Sequence, residues 1–424
     1  MNIAVFGLGY VGVVNMACFS KLGHTVWGCD IKSQKVDAIR AGKSPIYEPG
    51  VDELLSAGIK SGSIHATTDA AQVVMATDLA LVCVGTPSQA DGTVNLDFTI
   101  NTTLELAGHL KVSDARYTIV YRSTIPPGTI EQHILPVLER VLGEDMARVR
   151  VAFLPEFLRE GSAVNDFFHC SRIVIGAAGE RDELLHELMS YSAEIPIVYT
   201  DYRTAEFVKY VDNAFHAMKI AFVNEAYTIG SAYGVDVQTA NRIFLMDKHL
   251  NVAETYLRPG LPFGGSCLPK DMRAINHLAQ QKGLDLPVMR GILQTNSDQL
   301  KRLEERIIQS GAKRVAMFGL TFKSGTDDVR ESPMLFLASS LGVRGVALTV
   351  YDADINLTTL RIEQPNVVKY IVTDPSKAFA GAELVVVCKK GFSSLLPHLP
   401  KAAKVFNFYN QEVFAVDNAQ ERLY

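Results

Sequence analysis

Asn2-Ile3-Ala4-Val5-Phe6-Gly7-Leu8-Gly9-Tyr10-Val11-Gly12 carries a short apolar run straight into three glycines spaced GxGxxG. A helical stretch follows to about Leu22, Gly23 stops it, and Thr25 to Cys29 form a second apolar run ending at Asp30. A strand, a glycine turn, a helix and a second strand closed by an acid are the parts of a βαβ unit that holds a dinucleotide. Gly7 permits the tight turn, Gly9 lets the backbone approach a pyrophosphate, and Gly12 allows close helix–strand packing. The helix N-terminus supplies amide donors and a favourable dipole. Asp30 suits the two ribose hydroxyls and repels a 2′-phosphate, so NAD is expected over NADP.

Further apolar strands are predicted at 79–84, 117–121, 149–153 and 172–176, alternating with helical segments. That alternation indicates an α/β fold with a parallel, doubly wound sheet. Residues 202–233 lack Gly-Pro punctuation until Gly230, and Phe207, Val211, Ala214, Met218 and Phe222 keep helical spacing. One long helix is expected there, and a hinge, a dimer surface and a plain core helix all fit the pattern. After about residue 300 the strand pattern resumes. Val315-Ala316-Met317-Phe318-Gly319-Leu320 echoes Ile3 to Leu8, Leu348-Thr349-Val350-Tyr351-Asp352 echoes the run into Asp30, and Leu384 to Cys388 echoes Leu79 to Val84. The order points to a second Rossmann-like domain whose phosphate loop is altered, since Gly319 is not followed by GxxG. The expected organisation is therefore two Rossmann-like, doubly wound parallel-sheet domains joined by a long central helix: residues 1–201, a central helical region 202–299, and residues 300–424.

The 424 residues, 48% hydrophobic and 21% charged, suit a soluble globular chain of two or three domains. A net charge of −5 argues against nucleic acid or an anionic membrane as the main partner. No signal-peptide pattern opens the chain, and Lys219 and Glu225 interrupt the best apolar run, so a cytoplasmic protein is expected. Cysteines at 18, 29, 83, 170, 267 and 388 form no CxxC pair and no metal-ligand spacing, which implies reduced thiols and no metal.

Phe263-Gly264-Gly265-Ser266-Cys267-Leu268-Pro269-Lys270-Asp271 puts one thiol among small residues, with a cation and an acid inside the next helical turn. A thiol beside a cation has more thiolate character. Next to a hydride acceptor it can hold an aldehyde as a thiohemiacetal and pass through a thioester to an acid. Lys209 and Asn213 are four apart on the expected long helix and could share an oxyanion, although spacing alone fits a solvent-exposed lysine better. Glu156 and Glu160 in Pro155-Glu156-Phe157-Leu158-Arg159-Glu160-Gly161 would share a face if they lie on a helical turn. They fit water activation and a solvated helix start equally. Thr86 and Thr124 follow strands 79–84 and 117–121, at the carboxyl edge where ligands bind in doubly wound sheets. The charge-dense loop Lys323 to Glu331 could reach phosphates or be solvated.

GLGYVG, GTP at 85–87, Ser-Thr-x-Pro-x-Gly-Thr at 123–129, PEFLREG, KYxxNxxxAxKIxFxNE at 209–225, FGGSCLPKD and LTFKxGTDDxRESP occur in one order. Together they resemble the nucleotide-sugar 6-dehydrogenase family, over nearly the whole chain. The resemblance implies oxidation of the primary alcohol of a sugar nucleotide to a carboxylate with two NAD and a catalytic cysteine. It makes Cys267 the nucleophile, Lys209, Asn213 and Asp271 the oxyanion and water-handling groups, and Thr124 and Glu156 water-positioning or acid–base residues. For the cofactor it implies Gly7, Gly9, Tyr10, Val11, Gly12 and Asp30, joined by Lys35, Thr86, Thr124, Glu160, Lys270 and Arg330. For the sugar nucleotide it implies Glu156, Phe157, Leu158, Lys209, Asn213 and His216. Asn224, Asn251, Tyr256, Arg258, Phe263, Gly264 and Lys323 complete that set, with Lys323 and Arg330 bridging the cofactor and substrate halves.

Gly-Ser-Cys-Leu-Pro-Lys-Asp disfavours the N-acetylated-sugar branch, which usually has a His before the cysteine. Lys248 to Asn251, Tyr256 to Gly260 and His216-Ala217 resemble the branch acting on GDP-mannose, with UDP-glucose as the alternative. Leu154 departs from the family, which often has Asn before Pro-Glu-Phe-Leu. The family also implies a homodimer or higher homo-oligomer paired through the long helix. A two-electron hydroxyacid dehydrogenase and an NAD-binding sensor share the two-sheet plan but have no need of Cys267.

Overall fold

The computed structural model describes residues 1–112, 116–179, 181–232, 234–248, 257 and 259–418. The chain divides into two compact units, Met1–Asp212 and Asn213–Tyr424.

The first unit is built on one eight-stranded sheet. Its strands are β1 (Asn2–Phe6), β2 (Thr25–Cys29), β3 (Ile64–Thr67), β4 (Leu79–Val82), β5 (Tyr117–Tyr121), β6 (Val149–Phe153), β7 (Ile173–Ala177) and β8 (Ile197–Thr200). They lie in the order β3-β2-β1-β4-β5-β6-β7-β8. Every neighbouring pair is parallel except β6 with β7. Parallel strands covered on both faces must be apolar at consecutive positions, and β1 and β4 are. Successive side chains point to opposite faces. Ile3 and Val5 therefore enter one core while Ala4 and Phe6 enter the other. The strand order reverses between β1 and β4, so the loops leaving β1, β4, β5 and β6 flank a topological switch point.

The second unit repeats that plan in shorter form. Strands β9 (Arg314–Phe318), β10 (Ala347–Tyr351), β11 (Leu384–Val387), β12 (Lys404–Asn407) and β13 (Glu412–Ala415) lie in the order β10-β9-β11-β12-β13, with only β13 antiparallel. The order β10-β9-β11 matches β2-β1-β4, as the sequence echoes require. Val315 and Met317 face one core, Ala316 and Phe318 the other. Gly7 (φ +94°) and Gly319 (φ +102°) occupy the same left-handed position after the first strand. The N–H of Gly7 donates to Cys29 and that of Gly319 to Tyr351. Two strands of the first sheet, β3 and β8, were not expected from the sequence.

A single helix runs Tyr202–Ala232. Phe207, Val211 and Phe222 of the expected apolar spacing are 47%, 43% and 53% exposed, so they are not its core face. Among the buried positions are Tyr202, Ala205, Glu206, Lys209, Tyr210, Asn213, Ala214, Ala217, Lys219, Ala221, Val223 and Asn224, of which small and polar residues are the majority. Among the described residues no helix is long and apolar enough to cross a membrane.

Candidate active site

The Gly7–Gly12 turn has the form a dinucleotide needs. A Cβ on Gly7 would meet the Cys83 and Val84 backbone at 2.9 Å, and one on Gly12 would meet the Gly7 carbonyl oxygen at 1.9 Å. Nothing lies within 4 Å of a Cβ built on Gly9, the residue preceding the helix Tyr10–Lys21. Two glycines are thus demanded by close packing, and the third leaves open space before a helix N-terminus, where a pyrophosphate binds. Asp30 Oδ2 accepts from the Leu8 N–H (2.8 Å) and from Lys35 Nζ (3.2 Å), and Oδ1 accepts from the Lys32 N–H (2.9 Å). Val11 lies half-buried in the first turn of the helix. These residues fit NAD.

The corresponding acid of the second unit is engaged differently. Asp352 accepts from the Leu320 N–H (2.8 Å) and the Thr321 N–H (3.1 Å), as Asp30 does from Leu8, but Lys389 Nζ also holds it at 2.7 Å. Burial pushes its carboxyl up, yet Lys389 and the two amides outweigh that and hold it below the usual carboxylate range. A Cβ on Gly319 would lie 2.7 Å from the Lys389 Cβ. The altered phosphate loop is therefore closed from within by a lysine.

Residues 154–161 after β6 carry Glu156 and Glu160 but form no helical turn, so the shared-face expectation fails. Pro155 biases Leu154 away from helical conformation. The Glu156 carboxylate takes the Leu158 N–H at 2.7 Å instead of leaving it to a helix. Lys209 Nζ pairs with Glu156 Oε1 at 2.9 Å. Burial raises the Glu156 carboxyl, but the Lys209 ammonium first, then the Leu158 N–H and the Arg122 guanidinium, bring it below its ordinary value. The Phe157 ring lies beneath two cations, Arg172 at 4.6 Å and Lys209 at 5.8 Å. Arg172 in turn pairs with Asp212 at 2.7 Å. Thr86 donates to the Thr124 carbonyl at 2.8 Å, tying the ends of β4 and β5. Glu160 is half-buried and precedes Gly161, which takes the left-handed φ of +86°.

In the second unit Cys267 is exposed and is the N-cap residue of the helix Leu268–Gln281. Its carbonyl accepts from the Asp271 N–H at 2.9 Å. Asp271 is 2% exposed, takes a short hydrogen bond from the Asn213 amide, and lies 3.4 Å from Lys270 Nζ. The glycines before the thiol are forced by contact. A Cβ on Gly264 would lie 2.6 Å from the Glu331 carbonyl oxygen, and one on Gly265 would strike the Phe322 ring at 2.9 Å. Asn296 holds both backbone groups of Phe263, at 2.7 and 2.8 Å. The Asn224 amide bonds to Gly260 (2.6 Å) and Leu261 (3.4 Å), so it shapes the loop before the thiol. Lys323 Nζ lies 5.4 Å over Phe322, Arg330 pairs with Asp328 at 2.6 Å, and His216 is half-buried on the long helix.

Profiles of the UDP-glucose/GDP-mannose dehydrogenase family match three stretches: its NAD binding domain over residues 1–192, its central domain over 203–298 and its UDP binding domain over 316–407. The chain belongs to that family. It is 38% identical to GDP-mannose 6-dehydrogenase of Azotobacter vinelandii over 96% of both chains. It is 34% identical to a UDP-glucose 6-dehydrogenase of Bacillus subtilis, over 91% of this chain and 87% of that one. Among solved structures, a UDP-glucose dehydrogenase from Pyrobaculum islandicum superposes with a TM-score of 0.87 at 33% identity, covering 99% of this chain and 95% of the other.

As a member of the UDP-glucose/GDP-mannose dehydrogenase family the chain is an NAD-dependent nucleotide-sugar dehydrogenase, which replaces the hydroxyacid dehydrogenase and the NAD sensor. Within each unit the structure brings together residues that the sequence had only set in order: Glu156 with Lys209, and Asn213 with Asp271 and Cys267. Asn251, Tyr256 and Arg258 lie outside the described residues. No local pattern pointed to Glu48, Arg122 beside Glu156, the Arg172–Asp212 pair, or Glu206, a fully buried acid accepting from the Gly128 and Ile130 N–H groups. Among the described residues no group of three or more His, Cys, Asp or Glu could hold a metal.

Proposed function

We propose that the chain oxidises GDP-mannose to GDP-mannuronate by way of a thioester on Cys267. Per sugar, one primary alcohol, two NAD and one water become one carboxylate, two NADH and three protons. The observation that carries the chemistry is the position of Cys267: an exposed thiol at the start of a helix whose buried Asp271, one turn on, is held by Asn213. A helix N-terminus favours the thiolate over the thiol.

NAD, when bound, would supply the hydride acceptor for each of the two oxidations. Gly7, Gly9, Tyr10, Val11 and Gly12 would hold its pyrophosphate and Asp30 a ribose, with Lys35, Thr86, Thr124, Glu160, Lys270 and Arg330 around it. Cys267 adds to the aldehyde carbon, and the oxygen that becomes anionic is met by the Lys209 ammonium and the Asn213 amide, one helical turn apart. After the second oxidation, water polarised by Asp271, Glu156 and Thr124 attacks the thioester carbon, the C–S bond breaks, and the thiolate leaves. The charged Lys209–Glu156 pair supports a site that keeps both a cation and a carboxylate in place.

The sugar nucleotide is assigned from the higher identity to a GDP-mannose enzyme and from the matching stretches 248–251 and 256–260. The high structural overlap with a UDP-glucose enzyme tests fold more than substrate, since both activities share the family. Leu154, at the head of the Glu156 loop, keeps UDP-glucose as the second reading.

The deciding experiment counts NADH released per mole of limiting GDP-mannose or UDP-glucose with excess NAD. Two per GDP-mannose and none from UDP-glucose is the expected result. One per sugar would reject the thioester cycle, and two from UDP-glucose alone would move the substrate. The Cys267→Ser variant should form no acid, and full acid production by it would end the covalent mechanism.

A further inference from the structure

Glu48 lies in Tyr47-Glu48-Pro49-Gly50, a turn with no chemistry legible in its residues, yet its side chain is 6% exposed. Three donors converge on it. The Tyr10 hydroxyl gives Oε2 a short hydrogen bond, the Gly161 N–H reaches the same oxygen at 2.6 Å, and the Ala163 N–H reaches Oε1 at 2.7 Å. The Gly161 N–H also lies 3.2 Å from the Tyr10 hydroxyl oxygen. Among the described residues no lysine or arginine pairs with this carboxylate. A buried carboxylate without a counter-ion costs several kcal/mol unless its lone pairs are taken up. Here they are taken up by one hydroxyl and two backbone amides, so the position of the acid depends on the position of those donors.

The donors come from two motifs far apart in sequence. Tyr10 opens the helix behind the glycine turn, beside the open space over Gly9. Gly161 ends the loop that begins at Pro155 and contains Glu156 and Glu160, and Ala163 starts the next helix. Burial first, and then Glu48 itself, raise the Tyr10 hydroxyl far above its ordinary value, so it remains a donor at every working pH.

We propose that Glu48 is a positioning residue for the cofactor: its carboxylate latches Tyr10 to Gly161 and Ala163, so that the glycine turn and the 155–161 loop present one fixed NAD-binding surface. The inference rests on Tyr10 belonging to the NAD site and is independent of which sugar nucleotide is oxidised. A Gln at 48 has the same shape but turns an NH2 group toward an N–H, and at least one of the three bonds is lost.

The test is NADH titration by fluorescence, without sugar, on the full chain and its Glu48→Gln, Tyr10→Phe and double variants, with thermal midpoints in parallel. Each single change is expected to weaken NADH by about tenfold, the size of one charge-assisted hydrogen bond, and the double change to weaken it no further than the worse single. In turnover the KM for NAD should rise about tenfold while kcat changes less than about threefold, a split that loss of folded protein does not produce. NADH affinity within about twofold of wild type in Glu48→Gln, or effects that multiply in the double variant, would overturn the latch. Should Glu48→Gln fail to fold, Tyr10→Phe decides alone, since unchanged affinity on loss of the hydroxyl overturns it equally. A wild-type chain that binds no NADH would overturn the NAD site itself, and the latch with it.

Discussion

Lys209 Nζ stands 2.9 Å from Glu156 Oε1, with the two side chains 5% and 8% exposed. A lysine alone on a helix is ordinarily solvated; this one is buried against the only kind of group that makes burial tolerable. Removing one member of a buried pair leaves an uncompensated charge and costs roughly 3–5 kcal/mol. Lys209→Met should lower stability by about that amount and kcat by about 10²–10³, as expected for a lost oxyanion donor.

The same pair sets a pH dependence. The Glu156 carboxyl is held low, so its contribution to stability is present above the unfolded carboxylate range and is lost as pH falls through the folded value. In Lys209→Met, burial is opposed only by the Leu158 N–H and Arg122. The carboxyl should then rise, and the acid limb of kcat/KM should move to higher pH. An acid limb that stays in place would show that Glu156 is not the group titrating there.

Glu206 behaves in the opposite sense. Burial pushes its carboxyl up to about 7, against the Ile130 and Gly128 N–H groups and Arg203, while Glu131 pushes it further up. A carboxyl whose folded value exceeds its unfolded value contributes stability below the unfolded value and loses it as pH rises through the folded one. Thermal midpoints of the wild type should therefore carry a component that falls between about pH 4.5 and about pH 7. Glu206→Gln should remove that component while losing one of the two amide bonds, so its profile lies lower at acid pH and is flatter. A Glu206→Gln profile parallel to wild type would place the titration elsewhere.

Much of the fold was legible because central parallel strands must be apolar on both faces, which makes β1, β4, β5, β9 and β11 visible as runs. The edge strands of the first sheet were not: β3 is only Ile64-His65-Ala66-Thr67, and in β8 Val198 and Tyr199 are 46% and 38% exposed. Periodicity found the long helix but left its packed side open: the large apolar Phe207, Val211 and Phe222 lie on the exposed side, and alanines with the buried Glu206, Lys209 and Asn213 make up the packed one. The motifs nominated polar residues for the chemistry proposed above. They could not show that Glu48 reaches Gly161 across 113 positions, since no local pattern encodes a bond of that span.

The preference for NAD over NADP that we propose turns on Asp30. Its carboxylate is fixed by the Leu8 and Lys32 N–H groups and by Lys35, so it cannot move aside for a phosphate. Wild-type kcat/KM is expected to favour NAD over NADP by at least about 100-fold, a repulsion of roughly 3 kcal/mol. Asp30→Ser should cut NAD use and narrow that ratio by about tenfold or more. Equal efficiency with both cofactors in the wild type would contradict the role given to this acid.

The exposed stripe of the long helix bears on assembly. Phe207, Val211 and Phe215 recur every four residues and are 47%, 43% and 39% exposed, an apolar row that a monomer would leave in water. Its spacing is that of one side of a helix, and a second copy of the same helix is self-complementary to it about a two-fold axis. Light scattering should give at least twice the 46.4 kDa of one chain. Val211→Asp would place charges at the centre of the interface, facing each other across the axis, and should shift the protein to a single-chain mass at micromolar concentration. Because Val211 lies between Lys209 and Asn213 on the helix, loss of activity alone would not identify the cause. A wild-type monomer, or a Val211→Asp protein that keeps the wild-type mass, would mean that the stripe does not join two chains.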